Sequence, residues 1–356
     1  MLNLGGVCGT YEEGSAKRVR VVLNVDDKHI IGTLGGLSAK CDDLTKVEDL
    51  SVKLQGHPTI KSKGGLICGY AYGSTIFERI SVEGKMIGLG HIASLIGVAV
   101  STSSESPMVL RDVAAKAEIR MKHDIAFNSS GGYFHSGGLI GQGSNLLLQN
   151  VAAKLQLRVD LQYVYGLIVD DITIGQSLEL DGVYLDVDFE GRSSDPNGIN
   201  MSGICRCASA DVALKDVLLQ GRFAKTDGQE LAPIANSNTN LHRFQKKGNG
   251  RVIVDLDGPM LIAGMLGKSS DSSGHFYYRQ QNENFYREHP THKLTPTRIP
   301  LEMMHDPSDS RWGDFMTGPG SEAWTHTGGA APELKLKTQF RDGSFLSDLQ
   351  APRIPD

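Results

Sequence analysis

The chain has 356 residues, and its 36 Lys and Arg against 41 Asp and Glu give a formal net charge of −5 at pH 7. This balance argues against a basic nucleic-acid groove as the main function, and 40% hydrophobic residues are typical of a globular chain rather than a disordered one. Glycine is abundant, at 42 residues, without the Gly-X-Y period that would indicate collagen.

The N-terminal residues and the longest apolar run argue against export and membrane insertion. Met1–Leu4 is followed at once by Gly5-Gly6, without the basic start and apolar run of a secretory signal. The longest apolar stretch, Ile92–Val100, is much shorter than the roughly 20 residues that span a bilayer. We expect a protein that is made in the cytoplasm and does not insert into a membrane.

The cysteines show no metal or redox spacing. Their number is odd, and Cys205-Arg206-Cys207 is not a C-x-x-C motif. We expect buried free thiols in a reducing cytosol. The five cysteines are Cys8, Cys41, Cys68, Cys205 and Cys207.

A short phrase of glycine or serine followed by apolar residues recurs at intervals of roughly 30 residues, as in repeat proteins. Each occurrence is followed by a segment in which apolar residues alternate with polar ones, which indicates a strand with one buried face. The best-matching pair of such segments is Leu110–Lys116 and Leu148–Lys154. The opening phrases are Gly5–Gly9, Gly35–Leu37, Gly64–Ile67, Ser94–Gly97, Gly137–Gly141, Tyr165–Ile168 and Ser202–Cys205.

A unit of this size cannot bury its inner face alone, but stacked units share a continuous core. The sequence therefore predicts an all-β chain, a single-stack β-solenoid (β-helix) of eight or nine coils over residues 1–267, with insertions around His123–Ser136 and Gly191–Gly198. Leucine-rich, helical-repeat and β-sandwich folds fit the pattern less well. One interior column is predicted to contain Val7, Leu37, Leu66, Leu95, Leu139, Leu167 and Ile204.

The phrase Gly137-Gly138-Leu139-Ile140-Gly141, followed after a polar loop by Gln149-Asn150-Val151-Ala152-Ala153, resembles the GLUG-type repeat of bacterial and phage surface β-solenoids. The resemblance covers about residues 5–223 and rests on the opening phrase and the later Asn/Asp-Val step. It implies a scaffold or adhesive role and carries no catalytic residues.

The C-terminal part differs in composition. An aromatic connector is predicted at residues 268–288, and an extended Pro/Gly-rich docking arm at residues 289–356, which contain eight of the 13 prolines and both tryptophans. Large apolar side chains in the arm are the kind that fill pockets at interfaces. The predicted partner-binding residues are Trp312, Phe315, Trp324, Phe340 and Phe345. We expect deletion of Leu294–Asp356 to leave a folded solenoid that no longer assembles.

One group of carboxylates is a candidate for catalysis or for calcium binding. Asp186 and Asp188 alternate with Val187 on a predicted strand, so they share a face about 6.5–7 Å apart, near the separation that glycoside hydrolysis uses. If Asp170 converged on them, the three could cleave a polysaccharide or bind Ca²⁺. A solvated strand face is the simpler interpretation, and no catalytic residue is expected. The pair His289 and His292 has a metal-like spacing, but Pro290 disfavours the helix it needs. We expect no metal site and no cofactor.

Three functions remain open. The first is a structural or adhesive virion component, a phage tail-fibre, spike or shell-associated subunit that assembles with copies of itself and other virion proteins through its arm. The second is a tailspike-like glycan depolymerase using the strand carboxylates. The third is a bacterial cell-surface adhesin. We favour the first, without enzymatic activity or nucleic-acid binding, and with a host surface glycan as a conceivable ligand.

Overall fold

The computed structural model of the chain describes residues 2–122, 136–160, 165–173, 176–192, 201–207, 211–225, 231–232, 243–246, 251–257, 275–279, 297–312, 324–330 and 333–334. Their backbone forms parallel strands stacked into a β-solenoid, so the predicted fold is confirmed. The solenoid has about six turns, fewer than the eight or nine predicted. The predicted insertions at 123–136 and 191–198 fall mainly outside the described residues.

The turns are built from short strands and long strands. The long strands are β2 (Cys8–Asn24), β4 (Ser38–Gln55), β7 (Ile76–Gly88), β10 (Met108–Lys122), β13 (Leu146–Asp160), β16 (Ser177–Arg192) and β19 (Asp211–Lys225). The short strands that open the turns are β1 (Asn3–Gly5), β3 (Ile30–Gly35), β5 (Thr59–Gly65), β8 (His91–Ile92), β11 (Ser136–Gly137), β14 (Tyr165–Gly166), β17 (Met201–Ser202) and β20 (Leu231–Ala232). Between them and the long strands lie β6 (Cys68–Tyr72), β9 (Ile96–Val100), β12 (Ile140–Ser144), β15 (Val169–Ile172) and β18 (Cys205–Cys207).

The C-terminal region first continues the same parallel ladder and then forms short helices and an antiparallel strand pair. The ladder runs through β22 (Arg251–Asp257), β23 (His275–Arg279) and β24 (Thr297–Arg298), past the predicted boundary at residue 267. A further strand, β21 (Arg243–Lys246), pairs with β19. The chain then forms helix α1 (Leu301–His305), a 3-10 helix (Ser310–Trp312) and an antiparallel pair, β25 (Trp324–Thr325) with β26 (Glu333–Leu334).

The strand register confirms the best repeat match. Leu110 lies opposite Leu148, and Lys116 lies opposite Lys154. Within each of these two segments, one residue has a positive φ in the left-handed region of backbone conformation. These residues are Asp112, at φ 55°, and Asn150, at φ 52°. The registers place seven such residues in one column along the solenoid: Arg18, Asp49, Arg79, Asp112, Asn150, Gly182 and Asp216. The repeated Asn/Asp-Val step therefore marks a corner, since Asn, Asp and Gly tolerate positive φ best.

The predicted interior column needs three corrections. Leu37, Leu95, Leu139 and Ile204 are buried and stacked, but Val7 is 56% exposed because only one turn covers it. Leu66 and Leu167 are also buried, but the register places Ile67 and Ile168 in the column instead. Their own position in the stack is shared with Gly36 and Gly138, where a Cβ would collide with the carbonyl oxygens of Leu66 and Leu167. The glycines thus let the backbone of the next turn approach closely.

The expectation of free buried thiols is wrong for at least three cysteines: Cys41, Cys68 and Cys205. Cys41 and Cys68 lie on neighbouring turns, both fully buried, with Cα atoms 6.6 Å apart, and they form a disulfide within the core. Cys205 is also disulfide-bonded. Cys8 is a free, partly exposed thiol. A disulfide that joins adjacent turns is typical of a chain that meets an oxidising environment.

Candidate functional site

The predicted carboxylates occupy different strands of one turn. Asp186 and Asp188 lie on β16 and alternate with the buried Val187, so they share the outer face as predicted. Asp170 lies in β15, ahead of the turn that leads into β16, at an irregularity of the pairing with β18. Its side chain is outside the described residues, so convergence of the three carboxylates stays a prediction.

Asp188 is bound by two arginines from the turns on either side. Arg158 Nη2 donates to Asp188 Oδ2 at 2.8 Å, and Arg222 Nε donates to Asp188 Oδ1 at 2.9 Å. Arg158 also approaches Glu190 at 3.3 Å, and Lys154 approaches Asp186 at 3.8 Å. Three of these contacts join residues in register on adjacent strands about 4.8 Å apart: Arg222 with Asp188, Arg158 with Glu190, and Lys154 with Asp186. Arg158 reaches Asp188 diagonally, because Gln156 is the residue opposite Asp188.

These contacts keep Asp188 ionised. Partial burial raises the pKa of Asp188, but the hydrogen bonds and the positive charges of Arg158 and Arg222 together lower it by more, so the pKa lies below its usual value. Glycoside hydrolysis needs one carboxyl group with a raised pKa to protonate the leaving group. The described environment of Asp188 therefore suits a structural ion pair better than a general acid.

A groove runs along the outer face of the long strands and includes this pair of carboxylates. It encloses about 820 Å³ and crosses the strands β4, β7, β10, β13, β16 and β19. Two outward-facing columns of side chains line the groove. Both columns contain basic and acidic residues, and ion pairs join residues on neighbouring turns. Lys85 pairs with Glu118 at 2.6 Å, and Lys116 with Glu83 at 3.6 Å.

A denser charge cluster lies at the corner column, near the N-terminal end. Arg79 binds Glu48 and also donates to Asp49 Oδ1 at 2.6 Å, while Lys17 approaches Glu48 Oε2 at 3.2 Å. Glu78 pairs with Lys46 at 2.6 Å and with Arg79 at 3.1 Å. The hydrogen bonds from Arg79 and Lys17 lower the pKa of Glu48 to about 2. The bonds to Asp49 and Glu48 raise the pKa of Arg79.

The same corner continues as a ladder of side-chain hydrogen bonds on the later turns. Arg111 Nε donates to Gln149 Oε1 at 2.8 Å, Gln149 Nε2 donates to Asp181 Oδ2 at 3.2 Å, and Lys215 Nζ donates to Asp181 Oδ1 at 2.8 Å. Asn150 donates to Asp112 at 3.1 Å in the adjoining column. Sequence reasoning missed this ladder, although the recurring Asn/Asp-Val step was its signal.

A second, shallower pocket lies near the N-terminal end on a different face. Two tyrosines, Tyr70 and Tyr72, project from β6 beside Lys40 and Asp42 of the preceding turn. Lys63 Nζ lies 5.6 Å from the ring centroid of Tyr70. Aromatic rings with polar tips beside charged groups can contact a polar, partly apolar ligand such as a sugar.

The predicted docking arm is partly packed on its own chain. Trp312 is only 1% exposed, and its Nε1 donates to the carbonyl oxygens of Met303 and Asp306 at 3.1 and 2.9 Å. Its ring also meets His326 edge-on, at a centroid distance of 5.3 Å. Trp312 is thus unavailable to a partner, which corrects the prediction. Phe315, Phe340, Phe345 and the side chain of Trp324 lie outside the described residues.

The outer face of the long strands is covered along one column. Tyr184 and Leu218 are fully buried, although strand alternation points them away from the interior cluster that holds Leu185 and Leu219. The small residues in register with them, Ser51, Ser81, Ala114 and Ala152, are buried as well. Strand β26 lies near β13. Part of the C-terminal region therefore packs on the solenoid of its own chain.

Two classes of feature are not found in the described part of the chain. No three His, Cys, Asp or Glu side chains there are grouped so as to hold a metal ion. No helix there is long and apolar enough to cross a membrane. His289 and His292 lie outside that part.

Comparisons with family models, with curated proteins and with solved structures find no match to this chain. The resemblance to GLUG-type repeats stays a prediction.

Proposed function

We propose that this chain is a structural and adhesive subunit of a larger assembly, a virion component such as a phage tail-fibre, spike or shell-associated protein. The observation that carries the proposal is the stack itself. Seven long strands pair in continuous parallel register and form a rod with a shared apolar core. Rods of stacked repeats present extended surfaces and bind through them.

The polar contacts of the outer face support a passive role. The strongest catalytic candidate, Asp188, is held by Arg158 and Arg222, and the corner ladder joins one turn to the next. Such side chains stiffen a scaffold, whereas a depolymerase needs a carboxyl group that is protonated near neutral pH.

Imaging and native mass test the assembly role. We expect an antibody against the chain to label intact phage particles in electron micrographs, and the purified chain to have a native mass above that of a monomer. A monomer at every soluble concentration, with no label on particles, would overturn the proposal.

A sugar-release assay tests the enzymatic alternative. Neither the natural chain nor Asp188→Asn should release reducing sugar from host capsule. Release by the natural chain that disappears in Asp188→Asn would favour the depolymerase.

The adhesive part of the proposal is placed at the pocket of Tyr70 and Tyr72. Replacing both tyrosines by Ala should weaken binding to host cells, while the matched change of Arg222 to Ala in the groove should not. Equal binding by both variants and the natural chain would remove the pocket from the proposal.

A bacterial cell-surface adhesin is the second candidate, and the disulfide Cys41–Cys68 favours it because cell surfaces are oxidising. Label on uninfected bacterial cells, with none on particles, would select this candidate.

A further inference from the structure

The N-terminal edge, formed by β1 (Asn3–Gly5) and β2 (Cys8–Asn24), leaves one side of the solenoid open. The 17 residues of β2 pair with β4 on one side, and no strand in the described ranges pairs with the other side. Unpaired backbone groups along such an edge form a template for another strand.

The edge is also the most apolar exposed region in the described part of the chain. Of the five large apolar side chains exposed there, four belong to residues 2–30: Leu2, Val7, Val22 and Ile30. Tyr11 and Val19 face the interior from β2 and are covered only in part. Terminal repeats of a solenoid normally carry a polar outer face. An apolar end with free strand edges fits a partner that continues the sheet.

The charges along β2 indicate which partner fits. Glu12 and Glu13 precede Ser15, Lys17 and Arg18 follow it, and all five are exposed. If an identical strand runs antiparallel about a two-fold axis at Ser15, Glu12 lies opposite Arg18, and Glu13 lies opposite Lys17. In the same register Tyr11 lies opposite Val19, and both face inward. A parallel, in-register copy would instead place Glu12 against Glu12, which is unfavourable.

We propose that two copies of this chain pair head to head through their N-terminal edges, antiparallel about Ser15, to form a two-fold symmetric dimer. The dimer rests on the proposed assembly role, for which it supplies the first contact. Closed two-fold pairing buries both N-terminal edges at once and leaves neither of them free to extend the sheet.

Two single charge reversals test the dimer. In Glu12→Arg, and separately in Arg18→Glu, the two-fold axis places like charges opposite each other twice. Lys17 is left unchanged because it already binds Glu48 at 3.2 Å. Two opposed like-charge pairs should weaken dimerisation by about 10-fold in each variant, measured by native mass against concentration. A 1:1 mixture of the two variants should restore dimers, because each reversed charge then meets its complement. The matched control is Glu105→Arg, an exposed turn residue away from the edge.

A cross-link provides a second measurement that does not depend on charge. In a Cys8→Ser background, Ser15→Cys should form a covalent dimer on mild oxidation, because facing residues of antiparallel strands lie within disulfide reach. Asn24→Cys, at the far end of the same strand, should not.

The outcomes separate this dimer from the assembly role. Oligomers that neither reversal weakens, without a Ser15→Cys cross-link, would overturn the dimer and leave the assembly proposal standing. Open-ended filaments of the natural chain would also overturn it, since they require head-to-tail stacking. A natural chain that is monomeric at every soluble concentration would overturn the dimer, and one that also gives no label on particles would overturn both.

Discussion

The first turn and the middle turns of the solenoid carry the same sequence phrase in different surroundings. Val7 and Leu139 each follow a Gly-Gly pair, and their backbones are bonded alike to the next turn, Val7 to Leu37 at 2.9 Å and Leu139 to Ile168 at 3.1 Å. Leu139 also accepts from Leu95 on its other side at 3.0 Å. Leu139 is fully buried, while Val7 is more than half exposed.

The difference shows that the apolar phrase alone does not make a core position. A residue in a solenoid is buried by the turns above and below it, so its contribution depends on its place in the stack. The first turn carries the same apolar phrase as the middle turns, but its side chains are covered by a neighbouring turn on one side only. For this reason we infer that a partner binds at the open end, where apolar side chains are exposed, rather than at the groove, where the charges are already paired.

The largest expected effect comes from truncating the matched pair of residues. Leu139→Ala should lower the free energy of unfolding by about 2–5 kcal/mol, because it leaves a cavity in a close-packed core. Val7→Ala should cost less than about 1 kcal/mol in the monomer, because its side chain is already half in water. Urea denaturation of both variants measures the contrast. Equal losses at the two positions would show that the end turn is covered in solution.

The next effect concerns the disulfide of the early turns. Replacing Cys41 and Cys68 by Ser should lower the free energy of unfolding by about 3 kcal/mol, since the bond closes a loop with a sequence separation of 27. The matched control is Cys8→Ser, which removes a free thiol from the edge and should change stability little. Thiol counting under denaturing conditions checks the bond directly. Reactive thiols at both Cys41 and Cys68 would restore the sequence-based expectation.

The sequence predicted the class of fold because the repeat combines two local signals. Period-2 alternation specifies strands, and the Asn/Asp-Val step specifies a corner, as Asp112 and Asn150 show. Register could be read where two segments match residue for residue, as from Leu110 and Leu148 onward. At Leu66 and Leu167 the glycine phrase is shifted by one residue, so alignment on the glycine placed them in the wrong column.

The contacts of the candidate site depended on register and could not be read from single strands. The pairing of Asp188 with Arg158 and Arg222 joins residues 30 and 34 positions apart. Likewise, Cys41 meets Cys68 only because neighbouring turns place them diagonally across two strands. The burial of Trp312 follows from local contacts with Met303 and Asp306, which the Pro-rich composition does not reveal.

A smaller effect is expected at the corner column. Asn150→Val should lower stability by about 1–2 kcal/mol, because a β-branched residue is strained at φ 52°. Asn150→Gly should cost less, since glycine accepts this backbone and already occupies the equivalent position at Gly182. Thermal or urea denaturation ranks the two variants. If Val were tolerated as well as Gly, the corner would not be left-handed in solution.

The smallest effect is the pH dependence of the stability that the charge cluster of the corner contributes. The pKa of Glu48 is lowered to about 2 from its usual 4.5, so its carboxylate stabilises the folded state fully above about pH 4.5. That contribution is lost as the pH falls from about 4.5 through about 2, and only below about 2 is the carboxyl protonated in both states. The difference in urea midpoint between the natural chain and Glu48→Gln should therefore be largest at neutral pH and shrink between pH 4.5 and 2. High salt should also reduce it, because these groups lie at the surface and are partly exposed to solvent. Glu105→Gln, in an exposed turn away from the cluster and the edge, is the control for removing an exposed charge. A difference for Glu48→Gln that stayed constant down to pH 2 would show that its bonds to Arg79 and Lys17 do not contribute to stability through the carboxylate charge.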